Sequence, residues 1–285
     1  MGLLHSRATV GAALSLAMVG TGLVATTPAW ANHPVYVEGN CLGPGAGTAA
    51  TGLQTSPVSP GTCGDYDGDG NIGDAEDNDG DNNYGSIGAA VDAVGNNGRV
   101  TIVANGIFPE VVRLAPTGGA NISLEAAPGV DANIDAVVQG QPGNAERQQA
   151  PGIVIDGCDD CRVTVRNVMT RNWTDGVLIL GRSHVALDEV RAENNINYGI
   201  HASSRARVAI RNSDVNATGF RADANGPATP NPGTGIRFAG RSKGSVYDTT
   251  VTGSFLAGIS GIGDRVKLRD NQVFDNGVNF MSEKG

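Results

Sequence analysis

One stretch of the sequence has the acidic residues of a calcium-binding loop at the spacing that such a loop needs. Between positions 65 and 76 the residues follow the pattern D-x-D-x-D-G-x-x-x-x-x-E. Oxygen atoms of carboxylates are the hard ligands that Ca²⁺ prefers, the glycine permits a sharp turn, and the last glutamate can bind through both oxygens. The predicted ligands are Asp65, Asp67, Asp69, Asn71 and Glu76. The sequence therefore predicts Ca²⁺ as a cofactor with a structural role.

The surroundings of this loop differ from those of a helix-loop-helix calcium site. Pro57 and Pro60 precede it, and an Asn- and Asp-rich segment follows it, so the motif is more similar to the calcium loops of dockerins and thrombospondin type 3 repeats. A second ion is compatible with Asp77, Asp79 and Asp81. The alternative is a solvated acidic linker, in which eight carboxylates between positions 65 and 81 repel one another without a cation.

The amino terminus has the features of a secretion signal. A short polar start contains Arg7, an apolar segment covers 10–25, and Ala29-Trp30-Ala31 has the small-x-small form of a cleavage site. The alternative is an uncleaved membrane anchor, but the apolar segment is shorter than the ~20 residues that span a membrane. We therefore expect a secreted, extracellular protein whose mature chain has no membrane span.

The four cysteines predict two disulfides. Their number is even, and disulfides persist in exported proteins. The predicted pairs are Cys41 with Cys63 and Cys158 with Cys161. The alternative for the second pair is half of a zinc site, but no further pair of Cys or His residues stands at a ligand spacing.

From position 152 onward the sequence repeats a pattern of three short strands. The first strand of each unit starts with a glycine and an apolar residue, at Gly152, Gly176, Gly199, Gly235 and Gly258. The longer offset before Gly235 indicates a loop insertion within 218–234. A second, alternating strand follows, and then a third, predicted at Val168, Val190, Val215, Val251 and Val273. Such units bury their inner face only by stacking, which predicts a solenoid.

The second strands predict a cationic sheet face. Residues that alternate with the buried ones point outward, and coils about 4.8 Å apart arrange them in columns. Asp188 is the only acid at these outward positions of the five units. The residues predicted to bind a ligand are Arg162, Arg166, Arg207, Arg211, Lys243, Tyr247, Arg265, Lys267 and Arg269. Such a face would attract an acidic polysaccharide or a cell-envelope polymer; the alternative is a solvated face that only opposes aggregation.

Composition and charge exclude several classes of protein. Glycine accounts for 42 of 285 residues, about twice the ordinary share of ~7%, which excludes a coiled coil or a helical bundle. The net charge of −9 opposes long-range attraction to nucleic acid and to anionic membranes. The acids are concentrated in 1–150, which holds 15 of them against 4 basic residues. The repeat half is close to balanced, so its basic face is a local feature.

At the repeated segments the chain resembles the right-handed parallel β-helix proteins of the pectate-lyase-like superfamily. The resemblance extends upstream to 35–37, 85–94 and 100–110, which are similar to that family's first strand, capping helix and first coil. It implies an all-β, single-stranded right-handed parallel β-helix solenoid with a short amino-terminal capping helix. Together with the motifs described above, this predicts a signal peptide at 1–31, an amino-terminal segment at 32–84 that contains the acidic calcium-loop segment, and the β-helix at 85–285. Such folds host many functions.

The resemblance directs attention to the first strands for catalysis, because enzymes of the superfamily line their cleft there. In this row Asp175, His201 and Arg237 could supply a general acid, a base and a charge stabiliser. The motif around Asp175 is similar to the N-T-D-G of polygalacturonases with one residue inserted, but Asn197-Tyr198 replaces their next carboxylate. The rival hypotheses are therefore a polysaccharide lyase, epimerase or glycoside hydrolase acting on a uronate-containing glycan, and a non-catalytic surface or adhesion protein.

Overall fold

The computed structural model describes residues 34–37, 85–136, 149–219, 233–263 and 265–282. Within these ranges the chain forms one helix and 22 short β-strands. The predicted signal peptide, the calcium loop and the Cys41–Cys63 pair lie outside the described residues, as does most of the 218–234 insertion. These predictions therefore stay predictions.

The strands form three parallel sheets, because each coil contributes one strand to each sheet in turn. The first-strand sheet contains β4 (Val112–Leu114), β7 (Ile153–Gly157), β10 (Asp175–Gly181), β13 (Tyr198–Ala202), β16 (Thr234–Phe238), β19 (Ala257–Ser260) and β22 (Val278–Met281). The second-strand sheet contains β1 (Pro34–Val37), β2 (Gly98–Ile102), β5 (Asn121–Ala126), β8 (Arg162–Arg166), β11 (His184–Asp188), β14 (Arg207–Arg211), β17 (Lys243–Tyr247) and β20 (Val266–Arg269). The third-strand sheet contains β3 (Gly106–Phe108), β6 (Ala132–Asp135), β9 (Val168–Arg171), β12 (Arg191–Glu193), β15 (Asp214–Asn216), β18 (Thr250–Thr252) and β21 (Gln272–Phe274). The predicted all-β parallel solenoid is confirmed.

The repeated glycines mark a place where successive coils approach closely. In the first-strand sheet Val177 pairs with Ile200, and Ile200 with Ile236, so the glycine before each apolar residue stacks on the next. A Cβ added to Gly199 would collide with Cγ1 of Val215 and lie 2.8 Å from the carbonyl oxygen of Gly235. A side chain is therefore excluded there, which explains why the repeat starts with glycine.

Two sharp corners of each coil turn on a single residue with a left-handed backbone. The φ angle is 52° at Asn167, 56° at Glu189 and 47° at Asn212, at the corner between the second and third strands. At the next corner it is 51° for both Asn194 and Ala217. Asn tolerates this conformation better than most residues, which accounts for its frequency at these corners.

Four of the five valines at which the sequence predicts a third strand lie in one, and the exception is Val190. In the register of the third-strand sheet Val215 pairs with Ala192, which in turn pairs with Thr170. Val190 precedes β12 and is also fully buried. Two apolar residues of this coil are thus buried two positions apart, and apolar character alone does not distinguish them.

The hydrophobic core fills the interior between the three sheets. It continues from Val35 to Val266 as stacked Val, Ile and Leu side chains. Helix α1 (Ile87–Val94) covers part of the predicted helical segment and packs against β1, β2 and β4. Its first turn is held by Glu110, whose two carboxylate oxygens accept hydrogen bonds from the backbone N–H groups of Ile87 (2.7 Å) and Gly88 (2.9 Å).

The predicted disulfide between Cys158 and Cys161 is present in the turn between β7 and β8, with an S–S distance of 2.04 Å. It lies at the corner that leads into the second-strand sheet. Among the described residues no helix has both the length and the apolar character needed to cross a membrane.

Candidate functional site

The outward side chains at the start of the second strands form one continuous basic column. Adjacent strands pair Arg162 with His184, His184 with Arg207, and Arg207 with Lys243. Gly244 pairs with Val266, which places Arg265 beside Lys243. This start column therefore comprises Arg162, His184, Arg207, Lys243 and Arg265. It contains no acid over five successive coils.

A shallow groove of about 640 Å³ follows the start column along the sheet. Small side chains two positions further along the strands form its floor, among them Thr164, Ala186 and Ala209, and Lys267 adds another cation. Because the floor residues are short, the long basic side chains stand above it. An extended ligand can therefore lie across several coils in contact with several cations.

The other end of the same strands has a different electrostatic character. The end column comprises Glu125, Arg166, Asp188, Arg211, Tyr247 and Arg269. The charges of its first four members alternate in sign. Glu125 belongs to this column because β5 pairs with β8, although it lies upstream of the repeated units that begin at position 152. Four of the predicted ligand-binding residues, Arg166, Arg211, Tyr247 and Arg269, thus lie in this column, outside the groove lining.

Arg166 of the end column is already engaged by neighbouring acids. Its Nε lies 3.4 Å from Oε2 of Glu189 and 3.7 Å from Oδ2 of Asp188. The hydrogen bond to Glu189, and then the charges of Glu189 and Asp188, raise the pKa of Arg166. The cation is therefore partly neutralised within the protein and is less available to an external anion than the start column.

A second set of cations, which strand alternation does not predict, lies at the corner before the second strands. The backbone N–H of Arg205 donates to the carbonyl oxygen of Gly181, and that of Arg241 to Ser204, so that Arg182, Arg205 and Arg241 stack. We refer to these three residues as the corner row. The sequence signal that would have found them is an arginine two residues before the start-column residue in three units.

The predicted catalytic residues come together on the outer face of the first-strand sheet. Nδ1 of His201 lies 3.2 Å from Oδ2 of Asp175, and the His201 ring is 4.4 Å from the ring of Tyr198. Nη1 of Arg237 donates to the Tyr198 hydroxyl at 3.0 Å, and its guanidinium lies 5.3 Å from the ring centroid. Asp175, Tyr198, His201 and Arg237 are the first-strand cluster.

Burial within this cluster is uneven. The side chain of His201 is 19% exposed and that of Asp175 is 9% exposed. Oδ1 of Asp175 is buried and has no hydrogen-bond partner in the described part of the chain. An imidazole held by a carboxylate beside a phenol and a guanidinium is a group that can transfer protons and stabilise negative charge.

The described residues contain no group of three or more His, Cys, Asp or Glu side chains that could hold a metal ion. The first-strand cluster supplies only Asp175 and His201 as candidate ligands. The predicted Ca²⁺ ligands Asp65, Asp67, Asp69, Asn71 and Glu76 lie outside the described residues, so the Ca²⁺ site stays a prediction.

Comparison with known proteins supports the architecture. Residues 150–284 match a family model described as a right handed beta helix region. No curated protein matches the chain at a significant level. Among solved structures the chain is similar to one titled "Crystal structure of pectate lyase Pel9A", with 16% sequence identity, a TM-score of 0.40 and 79% of each chain covered. A likeness at that level carries no argument about residues or activity.

Proposed function

We propose that this chain, which folds as a parallel β-helix and matches the right handed beta helix model over residues 150–284, binds an acidic polysaccharide along the start column. The observation that carries the proposal is the start column itself, where Arg162, His184, Arg207, Lys243 and Arg265 stand in register without an acid among them. A row of one charge sign along a groove concentrates oppositely charged ligands there.

The geometry favours a polymer over a small ligand. The column repeats at the coil spacing of about 4.8 Å, so a chain lying parallel to the solenoid axis meets a basic side chain at each coil, which is an arginine or a lysine in every coil except that of His184. Each contact is solvent-exposed and weak by itself, roughly 0.2–1 kcal/mol. Useful affinity therefore requires several contacts at once, which only an extended polyanion provides.

The lining favours an acidic glycan over a single-stranded nucleic acid. Proteins that bind single strands stack the bases on aromatic side chains, but the groove lining contains no Phe, Tyr or Trp among the described residues. A regularly charged glycan chain needs only the cations and the shallow floor of small side chains.

Affinity electrophoresis tests this proposal. The mature protein is run through gels that contain polygalacturonate, neutral dextran or single-stranded DNA, together with Arg162→Ala/Arg207→Ala/Arg265→Ala. We expect retardation only by the acidic polysaccharide, and a loss of about tenfold or more in affinity for the triple variant, since three contacts of about 0.5 kcal/mol add up to about 1.5 kcal/mol and about 1.4 kcal/mol is a tenfold change. Equal migration in all gels, or equal retardation of the variant, would overturn the proposal, and stronger retardation by DNA would reassign the ligand.

The first-strand cluster supports a second candidate function, cleavage or epimerisation of a glycan. The supporting observation is the contact of 3.2 Å between Nδ1 of His201 and Oδ2 of Asp175, next to the Tyr198–Arg237 hydrogen bond. In this function His201 would move a proton at Nε2, Asp175 would orient the imidazole, and Arg237 would stabilise negative charge on the substrate.

A turnover assay tests the second candidate. Acidic and neutral polysaccharides are incubated with the protein, and unsaturated-sugar absorbance and new reducing ends are followed, with His201→Gln as the variant. The second candidate is supported if the wild-type protein forms product, His201→Gln forms none, and both are retarded equally in the polygalacturonate gel. Absence of product on every polymer, or an unchanged rate in the variant, would remove the cluster from consideration.

A further inference from the structure

The corner row and the start column are linked by a short motif that recurs in three successive coils. It consists of an arginine, one buried residue and a second basic side chain. The three occurrences are Arg182-Ser183-His184, Arg205-Ala206-Arg207 and Arg241-Ser242-Lys243. The middle residue is 0% exposed in the first two and 5% exposed in the third. Five of the six basic residues are exposed and His184 is partly exposed, so both basic side chains of each motif lie on the outer surface.

Two of these pairs make no ion pair with a described acid, although Nη1 of Arg207 contacts Nε2 of His184 on the neighbouring strand. Arg205 and Arg241 are exposed, and neither side chain makes a hydrogen bond or an ion pair with any described residue. Arg182 differs, since its Nη1 lies 2.7 Å from Oδ2 of Asp159 in the turn below. The pairs Arg205/Arg207 and Arg241/Lys243 therefore form two adjacent dicationic positions, one coil apart.

Two cations at each coil match one class of anion better than another. A carboxylate has two coplanar oxygens, and a single guanidinium fork satisfies both. A sulfate or phosphate monoester has three terminal oxygens that point in different directions, so a second cation finds an acceptor that the first leaves unused. The second cation of each pair is therefore not needed to bind a uronate carboxylate, but it can bind a further oxygen of a sulfate or phosphate ester.

We infer that Arg205/Arg207 and Arg241/Lys243 form two subsites that select tetrahedral anionic esters of a glycan over carboxylates, an inference that rests on the proposed polysaccharide-binding function. Successive esters on an extended chain would occupy the two subsites at neighbouring coils. The start column then supplies general attraction to polyanions, while Arg205 and Arg241 of the corner row supply the preference for the ester.

Three derivatives of one neutral polymer test this inference: dextran sulfate, phosphorylated dextran and carboxymethyl dextran, matched in degree of substitution and immobilised. The wild-type protein should elute from the sulfate or the phosphate polymer at higher salt than from the carboxymethyl polymer. Arg205→Gln/Arg241→Gln should lose about tenfold in affinity on the preferred ester and less than about threefold on carboxymethyl dextran, in line with loss of one modest contact at each coil. Which of the two esters is preferred identifies the source of the anion.

A matched variant controls for loss of charge alone. Arg211→Gln/Arg269→Gln also removes two positive charges, but from exposed positions in the end column, and should leave the ester preference unchanged. Equal elution of the wild type from all three polymers, or an equal loss by the corner-row variant on all three, would overturn the inference while leaving the proposed function intact. Failure of the wild type to bind any of the three would overturn both.

Discussion

Nη1 of Arg207 lies 2.8 Å from Nε2 of His184 on the neighbouring strand. A guanidinium only donates hydrogen bonds, so His184 accepts at Nε2 and carries no proton there while the contact is made. The two side chains are thus held side by side on the outer face of the sheet. The start column is therefore a partly ordered row and not a set of independent charges.

Replacing the histidine by a permanent cation should strengthen binding. His184→Lys adds a full charge between Arg162 and Arg207, and we expect the variant to elute from an acidic polysaccharide at higher salt than the wild type. His184→Gln, which keeps an acceptor and adds no charge, is the control and should elute near the wild type. Elution of His184→Lys at or below the wild-type salt concentration would count against binding at the start column.

Releasing Arg166 from its acidic neighbours should extend the cationic surface. Asp188→Asn/Glu189→Gln removes both ion pairs to Arg166, which are exposed and contribute little to stability, about 0–1 kcal/mol. We therefore expect stronger retention on an acidic polysaccharide, with a melting temperature within a few degrees of the wild type. Unchanged retention would show that the end column does not reach the ligand even when it is unpaired.

The carboxyl of Asp214 makes the stability depend on pH. Asp214 is exposed to solvent as a residue, but partial desolvation of its carboxyl raises the pKa, and the charge of Arg191 on the paired strand opposes this shift to a smaller extent. Since the pKa is higher in the folded state than in the unfolded state, ionisation of Asp214 destabilises the fold, and this contribution is lost as the pH falls through that range. Asp214→Asn should therefore raise the melting temperature at pH 7. The difference should vanish near pH 3, below the ordinary Asp value of about 3.9; a lower melting temperature of the variant at pH 7 would contradict this account.

Two substitutions at stacked corner positions with a left-handed backbone should change the free energy of unfolding in opposite directions. Gly253 has φ 66° and Ala217 has φ 51° at the same corner of neighbouring coils. A Cβ on Gly253 would also lie 3.1 Å from Oδ1 of Asn216. Gly253→Ala should thus lower the free energy of unfolding by about 1–2 kcal/mol, whereas Ala217→Gly should raise it by about 0.5 kcal/mol after the entropy of glycine is counted. Chemical denaturation measures both values, and changes of the same sign would refute the strain argument.

Part of this architecture is predictable because burial repeats along the chain. The alignment of Val177 with Ile200 and Ile236 follows from the glycine that precedes each of them, since that glycine marks the close approach of coils. The presence of Asp175 and His201 on neighbouring first strands also follows. Their contact does not follow, because the register pairs Asp175 with Tyr198 and Leu178 with His201, so the contact depends on side-chain orientation.

Other features of the structure do not follow from the repeated burial pattern of the strands. Val190 and Ala192 are both buried, so alternation cannot tell which one aligns with Val215. Glu125 belongs to a coil upstream of the recognisable repeat, so its presence in the end column emerges only from the pairing of β5 with β8. Arg205 and Arg241 lie at corners, which strand periodicity does not describe.

The most direct test of binding at the start column compares the two ends of the same strands. Two triple variants each lack three arginines: Arg162→Ala/Arg207→Ala/Arg265→Ala in the start column and Arg166→Ala/Arg211→Ala/Arg269→Ala in the end column. The salt concentration that elutes each variant from immobilised polygalacturonate is measured. We predict that the start-column variant elutes at much lower salt than the wild type, while the end-column variant stays close to it. Equal displacement of both variants, or a larger loss in the end-column variant, would contradict the assignment of the start column as the binding surface.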